Sequence, residues 1–251
     1  MRRITLFAIC WLAVLVVFAR YALSATLQVA PVMLNLNASQ RAAALYLTNT
    51  GSEPIHAQIR VYQWSQPQGK DVLTLTDDIV SSPAVTALKP GQQQLVRIVV
   101  LNPTAHPQEQ SFRLLVDELP GGHQAGADHN GVHFLLRYSI PLFIASGQAE
   151  SKDVAAQLTC TRQDASISCQ NRGTAHVRLS HVEAINAQGQ VAETLSGLAG
   201  YVLPGQRFVL PFKQLQHYPT SSLRAYLNEH TQASLLNVHS AAVATVDDAP
   251  R

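Results

Sequence analysis

Apolar side chains recur at every second position in one stretch of the chain, and this stretch constrains the fold more than any other feature. The alternating residues are Val132, Phe134, Leu136, Tyr138 and Ile140. A period of two is the side-chain period of a β-strand, so the pattern predicts a strand with all five side chains on one face. Pro141 then removes one backbone donor, which places the strand at a sheet edge or a bend. An apolar edge strand invites pairing with another chain, and we interpret the stretch as a binding strand.

The rest of the chain also has the pattern of short strands. Turn signals rich in Gly, Pro and Asn interrupt apolar alternation every eight to fifteen residues, and no helical period occurs beyond residue 24. This pattern predicts an immunoglobulin-like β-sandwich over residues 25–147. It restarts after a short linker, which predicts a second, smaller sandwich over residues 148–251. The predicted fold class is therefore all-β, with two immunoglobulin-like β-sandwich domains.

Two local patterns in the first half make sharper predictions. The apolar residues change from odd-numbered to even-numbered positions near Pro31. This change predicts that one strand leaves one sheet there and joins another. Strand-like residues 44–48 and 55–64 lie on either side of a turn signal at 49–54, and this arrangement predicts a β-hairpin.

The N-terminus has the pattern of a secretory signal. Two arginines precede an apolar run over residues 4–19, and small residues follow it, which predicts cleavage after Ser24. The alternative is a membrane anchor, since Arg20 follows the run as a short stop signal. A run of this length is short for a membrane span, and cleavage is therefore favoured.

The charge and cysteine content of the mature chain follow from this cleavage. Removal of residues 1–24 leaves 15 basic against 16 acidic side chains, so no basic cluster supports nucleic-acid binding. Cys160 and Cys169 remain, nine positions apart across a predicted hairpin. In an exported protein such a pair predicts one disulfide bond.

Residues typical of catalysis do not form a recognisable motif. The sequence has no nucleophile elbow, phosphate loop or paired-carboxylate motif, so we predict neither an enzyme nor a cofactor. His123, His129 and His133 are the most tightly spaced histidines, but they lie in or beside a polar loop. We predict no metal site there.

A series of short motifs runs through residues 25–146. They are Ala30-Pro31-Val32, Asn49-Thr50-Gly51, Trp64 with Gln66 and Gly69, Ser82-Pro83, Leu88-Lys89-Pro90-Gly91, Gln94-Leu95-Val96-Arg97, Phe112-Arg113, Glu118-Leu119-Pro120 and Ile140-Pro141-Leu142-Phe143. In order and spacing the series resembles the periplasmic pilus-assembly chaperones of the chaperone-usher pathway, and within them the archaic or spore-coat-U-type branch. The second half of the chain resembles them only in length and strand pattern.

This resemblance implies a function for the binding strand. Such chaperones have a cleft between two domains and lend the last strand of the first domain to a pilus subunit that lacks one of its own, before delivery to an outer-membrane usher. The implied subunit-binding residues are Val132, Phe134, Leu136, Tyr138 and Ile140. The alternative is that these side chains pack the chain's own core, above all at the end nearest the domain junction. Self-association of the free form is left open.

The family's carboxylate anchor cannot be carried over to this chain. Classical members hold the subunit's C-terminal carboxylate with an Arg and a Lys, and the matching positions here are Met33 and Pro141. Arg97 and Arg137 are the candidate substitutes, because a guanidinium binds a carboxylate through two parallel hydrogen bonds. The alternative for Arg97 is a salt bridge with the acidic residues at 117–118.

A different class of function competes with the chaperone. An exported two-domain sandwich could also be a structural subunit or an adhesive binding module. A subunit should carry its own N-terminal donor extension and lack a final strand. The first domain has a full set of predicted strands, which favours a soluble chaperone in the periplasm.

Overall fold

A computed structural model describes residues 27–103, 106–120, 134–147, 153–215 and 219–240. Three groups of residues discussed above lie outside the described residues: the signal peptide predicted for residues 1–24, Val132, and the histidines at 123, 129 and 133. Within the described part, no helix is long and apolar enough to cross a membrane.

The described residues of the first domain form ten strands in two sheets. The strands are β1 (Leu27–Ala30), β2 (Leu34–Leu36), β3 (Ala42–Asn49), β4 (Ile55–Ser65), β5 (Val72–Leu75), β6 (Ile79–Ser82), β7 (Val85–Leu88), β8 (Gln93–Val100), β9 (Gln110–Leu119) and β10 (Arg137–Ile144). One sheet has the order β1-β3-β8-β6 and the other β2-β10-β9-β4-β5, with β7 also pairing with β4. The two sheets share one apolar core.

Alternation along the strands explains why this core forms. In β4, Ile59 and Val61 are buried in the core, whereas Arg60 and Tyr62 lie on the other face of the strand. Successive side chains of a strand point to opposite faces, so each strand contributes one apolar row to the core. The outer face of the six-stranded sheet is left for other contacts.

Pro31 marks the change of sheet that was predicted from the shift between odd and even apolar positions. β1 pairs with β3 in the four-stranded sheet, whereas β2 pairs in parallel with β10 in the other sheet. The prediction of a strand that leaves one sheet and joins another is confirmed.

The predicted hairpin over residues 44–64 is wrong. β3 pairs with β1 and β8, and β4 lies in the opposite sheet. The turn after β3 is a corner, by which we mean a turn that leads the chain from one sheet to the other. The side-chain amide of Asn49 donates to the carbonyl of Leu88 at 3.0 Å and so connects the end of β3 to β7. A turn signal indicates a change of direction and does not show which sheet receives the next strand.

In the second domain, the part that the structure describes forms seven strands around its own core. The strands are β11 (Leu158–Gln163), β12 (Ser166–Asn171), β13 (Val177–Ile185), β14 (Val191–Val202), β15 (Arg207–Val209), β16 (Ser222–Leu227) and β17 (Ser234–Ser240). Their order is β14-β13-β16-β17-β11-β12-β15. The all-β prediction with two immunoglobulin-like sandwiches is confirmed, while the expected boundary at 147/148 adjoins residues that are not described.

The cysteine prediction is also confirmed. Cys160 and Cys169 are paired across the β11–β12 hairpin and form a disulfide within the second core. β14 runs from Val191 to Val202. Gly197 and Gly200 have positive φ angles, and irregular pairing at this part of the strand lets it continue through them.

Candidate functional site

The predicted binding strand consists of two parts with different surroundings. Residues 137–144 form β10, which pairs with β9 along its whole length. β2 covers the other edge of β10 only at residues 142–144. In the described part of the chain, no strand pairs with this edge over residues 137–141. The backbone there is an open sheet edge to which another strand can add.

The side chains of the strand become progressively less buried toward its N-terminal end. Ile140 is 3% exposed and belongs to the core of the first domain, as the alternative interpretation stated for this end. Tyr138 and Leu136 are half-buried against the same core, and the Tyr138 hydroxyl donates to the carbonyl of Leu27. Phe134 is 82% exposed. The alternating face is therefore inside the domain's own core at Ile140 and extends into solvent at Phe134.

Arg137 is paired inside the first domain. Asp117 accepts hydrogen bonds from Arg137 Nε and from Arg60 at 2.5 Å. Burial favours a raised pKa for the Asp117 carboxyl, but these two guanidinium groups outweigh it and lower that pKa. Arg137 lies at the N-terminal end of β10, away from the residues that join the two domains.

Arg97 is on the other sheet. It lies on β8 in the four-stranded sheet, opposite Ala44 and Ser82, and its side chain is exposed. Asp117 and the first-domain side of the domain junction both belong to the six-stranded sheet, and Asp117 bonds to Arg60 and Arg137. The structure therefore brings Arg97 neither to that carboxylate nor to the junction.

The domain junction is an aromatic cluster on the outer face of the six-stranded sheet. Trp64 and Phe143 of the first domain pack against Tyr201 and Leu203 of the second, with Met33 partly buried beside them. The Trp64 and Tyr201 rings meet edge to face with centroids 5.5 Å apart, a favourable arrangement for aromatic pairs. Two of the family-resemblance residues, Trp64 and Phe143, thus hold the domains together.

Arg113 is a charged residue at this junction that the sequence did not single out as a candidate. Its guanidinium carbon lies 3.7 Å from the centroid of the Trp64 ring, a cation–π contact. Burial lowers the pKa of Arg113, while the carboxylate of Asp71 raises it. Among the described residues, Arg113 makes no salt bridge.

The register explains why this position matters. Arg113 on β9 lies directly opposite Pro141 on β10, and Met33 immediately precedes the part of β2 that pairs with Leu142. Met33 and Pro141 are the positions at which the family resemblance implies a carboxylate anchor. Arg113 therefore supplies a positive charge on a neighbouring strand. The only signal in the sequence was the motif Phe112-Arg113, and its meaning depends on the strand register.

The architecture defines the class of protein: a two-domain immunoglobulin-like β-sandwich protein with a partly open, apolar last strand in its first domain. The structure describes no group of three metal-binding side chains in the ranges it covers.

Comparison with known families identifies the first domain. Residues 26–146 match the family described as pili and flagellar-assembly chaperone, PapD N-terminal domain. The match covers the residues that carry the motifs, and the recognition made from these motifs is confirmed. The family consists of non-enzymatic chaperones, so the prediction that the chain is not an enzyme is confirmed as well. No match was found among curated protein sequences.

Solved structures extend the likeness to both domains. The chain is similar to the structure of the CsuC–CsuE chaperone–tip adhesion subunit pre-assembly complex of archaic Csu pili from Acinetobacter baumannii, with 26% identity and a TM-score of 0.64 over 86% of this chain and 100% of that chain. The CupB2 chaperone of Pseudomonas aeruginosa shares the fold at 22% identity and a TM-score of 0.59 over 85% and 100% of the chains. So does the Salmonella enterica SafA pilin–SafB chaperone structure, at 16% identity and a TM-score of 0.61 over 86% and 97%.

Proposed function

We propose that this chain is a periplasmic chaperone that captures pilin-like subunits by donor-strand complementation and delivers them to an outer-membrane usher. The observation that carries the proposal is the gradient of burial along one face of the last strand. Phe134 and Leu136 continue the face that Ile140 occupies inside the core, but Phe134 is in solvent. A subunit that lacks one strand has an open apolar groove that these side chains suit, and its edge would add to the open edge of β10.

The energetics support Phe134 as the principal donor residue, with Leu136 as a weaker one. Ile140 already packs in the chain's own core, and Tyr138 and Leu136 are half-buried against it, so these three side chains gain less from a partner. Full burial of a large apolar side chain contributes roughly 1.5–3 kcal/mol, and Phe134, which is 82% exposed, gains most of this amount before ordering costs. Val132 belongs to the same face in the sequence and is a third proposed donor.

Co-expression tests the capture of subunits. The tagged chain, expressed in the periplasm with and without a neighbouring pilin-like gene product, should purify as a one-to-one complex that protects the subunit from degradation. Phe134→Asp should abolish this complex and leave the chaperone folded. Leu135→Asp is the matched control, because it places the same charge on the opposite face of the same segment. Normal capture by Phe134→Asp would contradict the assignment, and recovery of the chain as fibres would indicate a structural subunit instead.

Arg113 is the residue we propose for the subunit's C-terminal carboxylate, in preference to Arg97 and Arg137. Its guanidinium is held in place by Trp64 and has no salt bridge among the described residues, whereas Arg137 is occupied by Asp117. Arg113→Met should weaken capture, and Arg113→Lys, which keeps the charge, should weaken it less. A subunit with a blocked C-terminal carboxylate should bind both variants equally. If the blocked subunit still distinguishes them, Arg113 does not act on the carboxylate.

A further inference from the structure

The C-terminal end of the proposed donor strand is clamped by a histidine of the second domain. The ring of Phe143, a residue of β10, is 1% exposed. The imidazole of His176 stacks on it with centroids 3.6 Å apart and planes inclined by 9°. Trp64 and Tyr201 lie farther away, with centroids at 6.0 and 5.8 Å. Of the second-domain rings that the structure describes, the His176 imidazole therefore lies closest to Phe143.

Glu109 of the first domain holds this imidazole in place. His176 Nδ1 lies 2.9 Å and 3.0 Å from the two carboxylate oxygens, and the His176 backbone N–H donates to one of them at 3.1 Å. The Glu109 backbone N–H in turn donates to the carbonyl of Thr174 at 2.8 Å. The Glu109 side chain is 6% exposed, so solvent competes little for these bonds.

We propose that His176 is a positioning residue for the donor strand: through Phe143 it fixes β10 to the second domain. The inference rests on the proposed function in one respect, namely that β10 is the strand offered to the subunit. Among the described strands, only β9 pairs with residues 137–141. The contact at Phe143 therefore determines for how much of the time these residues are correctly placed to bind a subunit. A strand that is correctly placed for only part of the time binds more weakly in proportion to that fraction.

A second contact at the junction provides a matched control. The side chain of Gln66 is buried and bonds to the backbone of the second domain, as an acceptor from Leu203 N–H at 3.0 Å and as a donor to the Tyr201 carbonyl at 2.8 Å. This contact also joins the two domains, but within the described residues Gln66 makes no hydrogen bond to β10. Loss of Gln66 therefore weakens the junction without removing the Phe143 stack.

Hydrogen exchange of the free chain tests the proposal without a partner. In His176→Ala, the backbone amides of β10 should exchange about tenfold faster, while those of β8 in the opposite sheet stay unchanged. Gln66→Ala should leave β10 exchange near the wild-type rate. The double variant His176→Phe with Glu109→Gln keeps an aromatic ring on Phe143 and removes the unpaired charge, so it should restore slow exchange. If His176→Ala does not fold, Glu109→Gln alone should show a smaller acceleration confined to β10.

Three outcomes would overturn the proposal. They are unchanged β10 exchange in His176→Ala, equal acceleration in β10 and β8, and an effect of Gln66→Ala on β10 as large as that of His176→Ala. In a purified complex with a pilin-like subunit, His176→Ala should also raise the dissociation rate about tenfold, and the double variant should reverse this. If the wild-type chain captures no subunit, the proposed function fails, but the exchange experiment still decides the role of His176.

Discussion

The two domains contain the same corner, built on a buried asparagine. In the first domain the side-chain amide of Asn49 donates to the carbonyls of Glu53 and Leu88 at 2.8 and 3.0 Å, and its oxygen accepts from Gly51 N–H at 2.9 Å. One side chain thus satisfies three backbone groups at the end of β3. Buried backbone groups need such partners, which is why a corner away from the sheet ladder can be stable.

The second domain repeats this arrangement with its own residues. The amide of Asn171 donates to the carbonyls of Ala175 and Val202 at 2.8 and 2.9 Å, and its oxygen accepts from Gly173 N–H at 2.8 Å. The sequences correspond as well, with Asn-x-Gly followed later by Pro-Gly-Gln at 90–92 and at 204–206.

The two corners differ in what covers them. Lys89, before the Pro-Gly-Gln of the first domain, is exposed, and Gln92 accepts from its backbone N–H within the same turn. At the matching position of the second domain, Leu203 is fully buried in the junction. Gln206 accepts from the backbone N–H of Gln66 across the junction. The corner of the second domain therefore has a buried leucine where the first domain has an exposed lysine, and this corner is the one that contacts the other domain.

The largest effect should come from the asparagines themselves. Asn49→Ala and Asn171→Ala should each reduce the free energy of unfolding by about 2–4 kcal/mol, since three backbone groups lose their partner and at least one of the lost bonds is buried. Urea denaturation measures this loss. Trp64 fluorescence reports on the junction, because the other tryptophan, Trp11, belongs to the predicted signal peptide. Only Asn171→Ala should change that fluorescence in the native state; an equal change in Asn49→Ala would mean that the corners are not independent.

The matched pair Leu203→Ala and Lys89→Ala tests the difference between the corners directly. Leu203→Ala removes a fully buried side chain and should cost about 2–4 kcal/mol of stability. Lys89→Ala, at the same place in the motif, should change stability by less than about 0.5 kcal/mol because the side chain is exposed. Thermal and urea denaturation of both variants provide the comparison, and similar losses in the two would refute it.

A smaller contrast is expected for the glutamines. Gln206→Ala leaves the backbone N–H of Gln66 without its partner across the junction and should cost about 1 kcal/mol. Gln92→Ala affects an exposed turn, where water replaces the lost acceptor, and should reduce stability by only about a few tenths of a kcal/mol. Chemical denaturation with replicate fits resolves the difference. A larger loss in Gln92→Ala would show that the turn matters more than the joint.

The smallest effect concerns acid stability, and it should be confined to the first domain. The folded pKa of Asp117 is lowered, so its charged form adds stability above the ordinary aspartate pKa of about 4, and this contribution is lost as pH falls through the folded value. Asp117→Asn should therefore flatten the fall in stability below pH 4. Denaturation midpoints of both proteins between pH 5 and pH 2.5 measure the slopes. Parallel slopes would show that Asp117 does not contribute.

The proposed donor strand shows how far the sequence could predict this part of the structure. Its alternation placed Leu136, Tyr138 and Ile140 on one face, and all three pack against the core of the first domain, because a period of two requires only local geometry. The sequence could not decide that Ile140 is inside the domain's own core while Phe134 lies in solvent. That division depends on where β9 and the four-stranded sheet end relative to β10, and such contacts join residues far apart in the chain.

The sequence by itself determined the two sandwiches, the change of sheet at Pro31 and the pairing of Cys160 with Cys169, since each follows from alternation, turn chemistry or short spacing. Only the tertiary structure decided that β3 and β4 lie in different sheets, that Arg113 rather than Arg97 lies opposite Pro141, and that His176 covers Phe143. The physical reason is register. A strand's own residues set which side chains share a face, but the neighbouring strands and the second domain set which of those side chains meet.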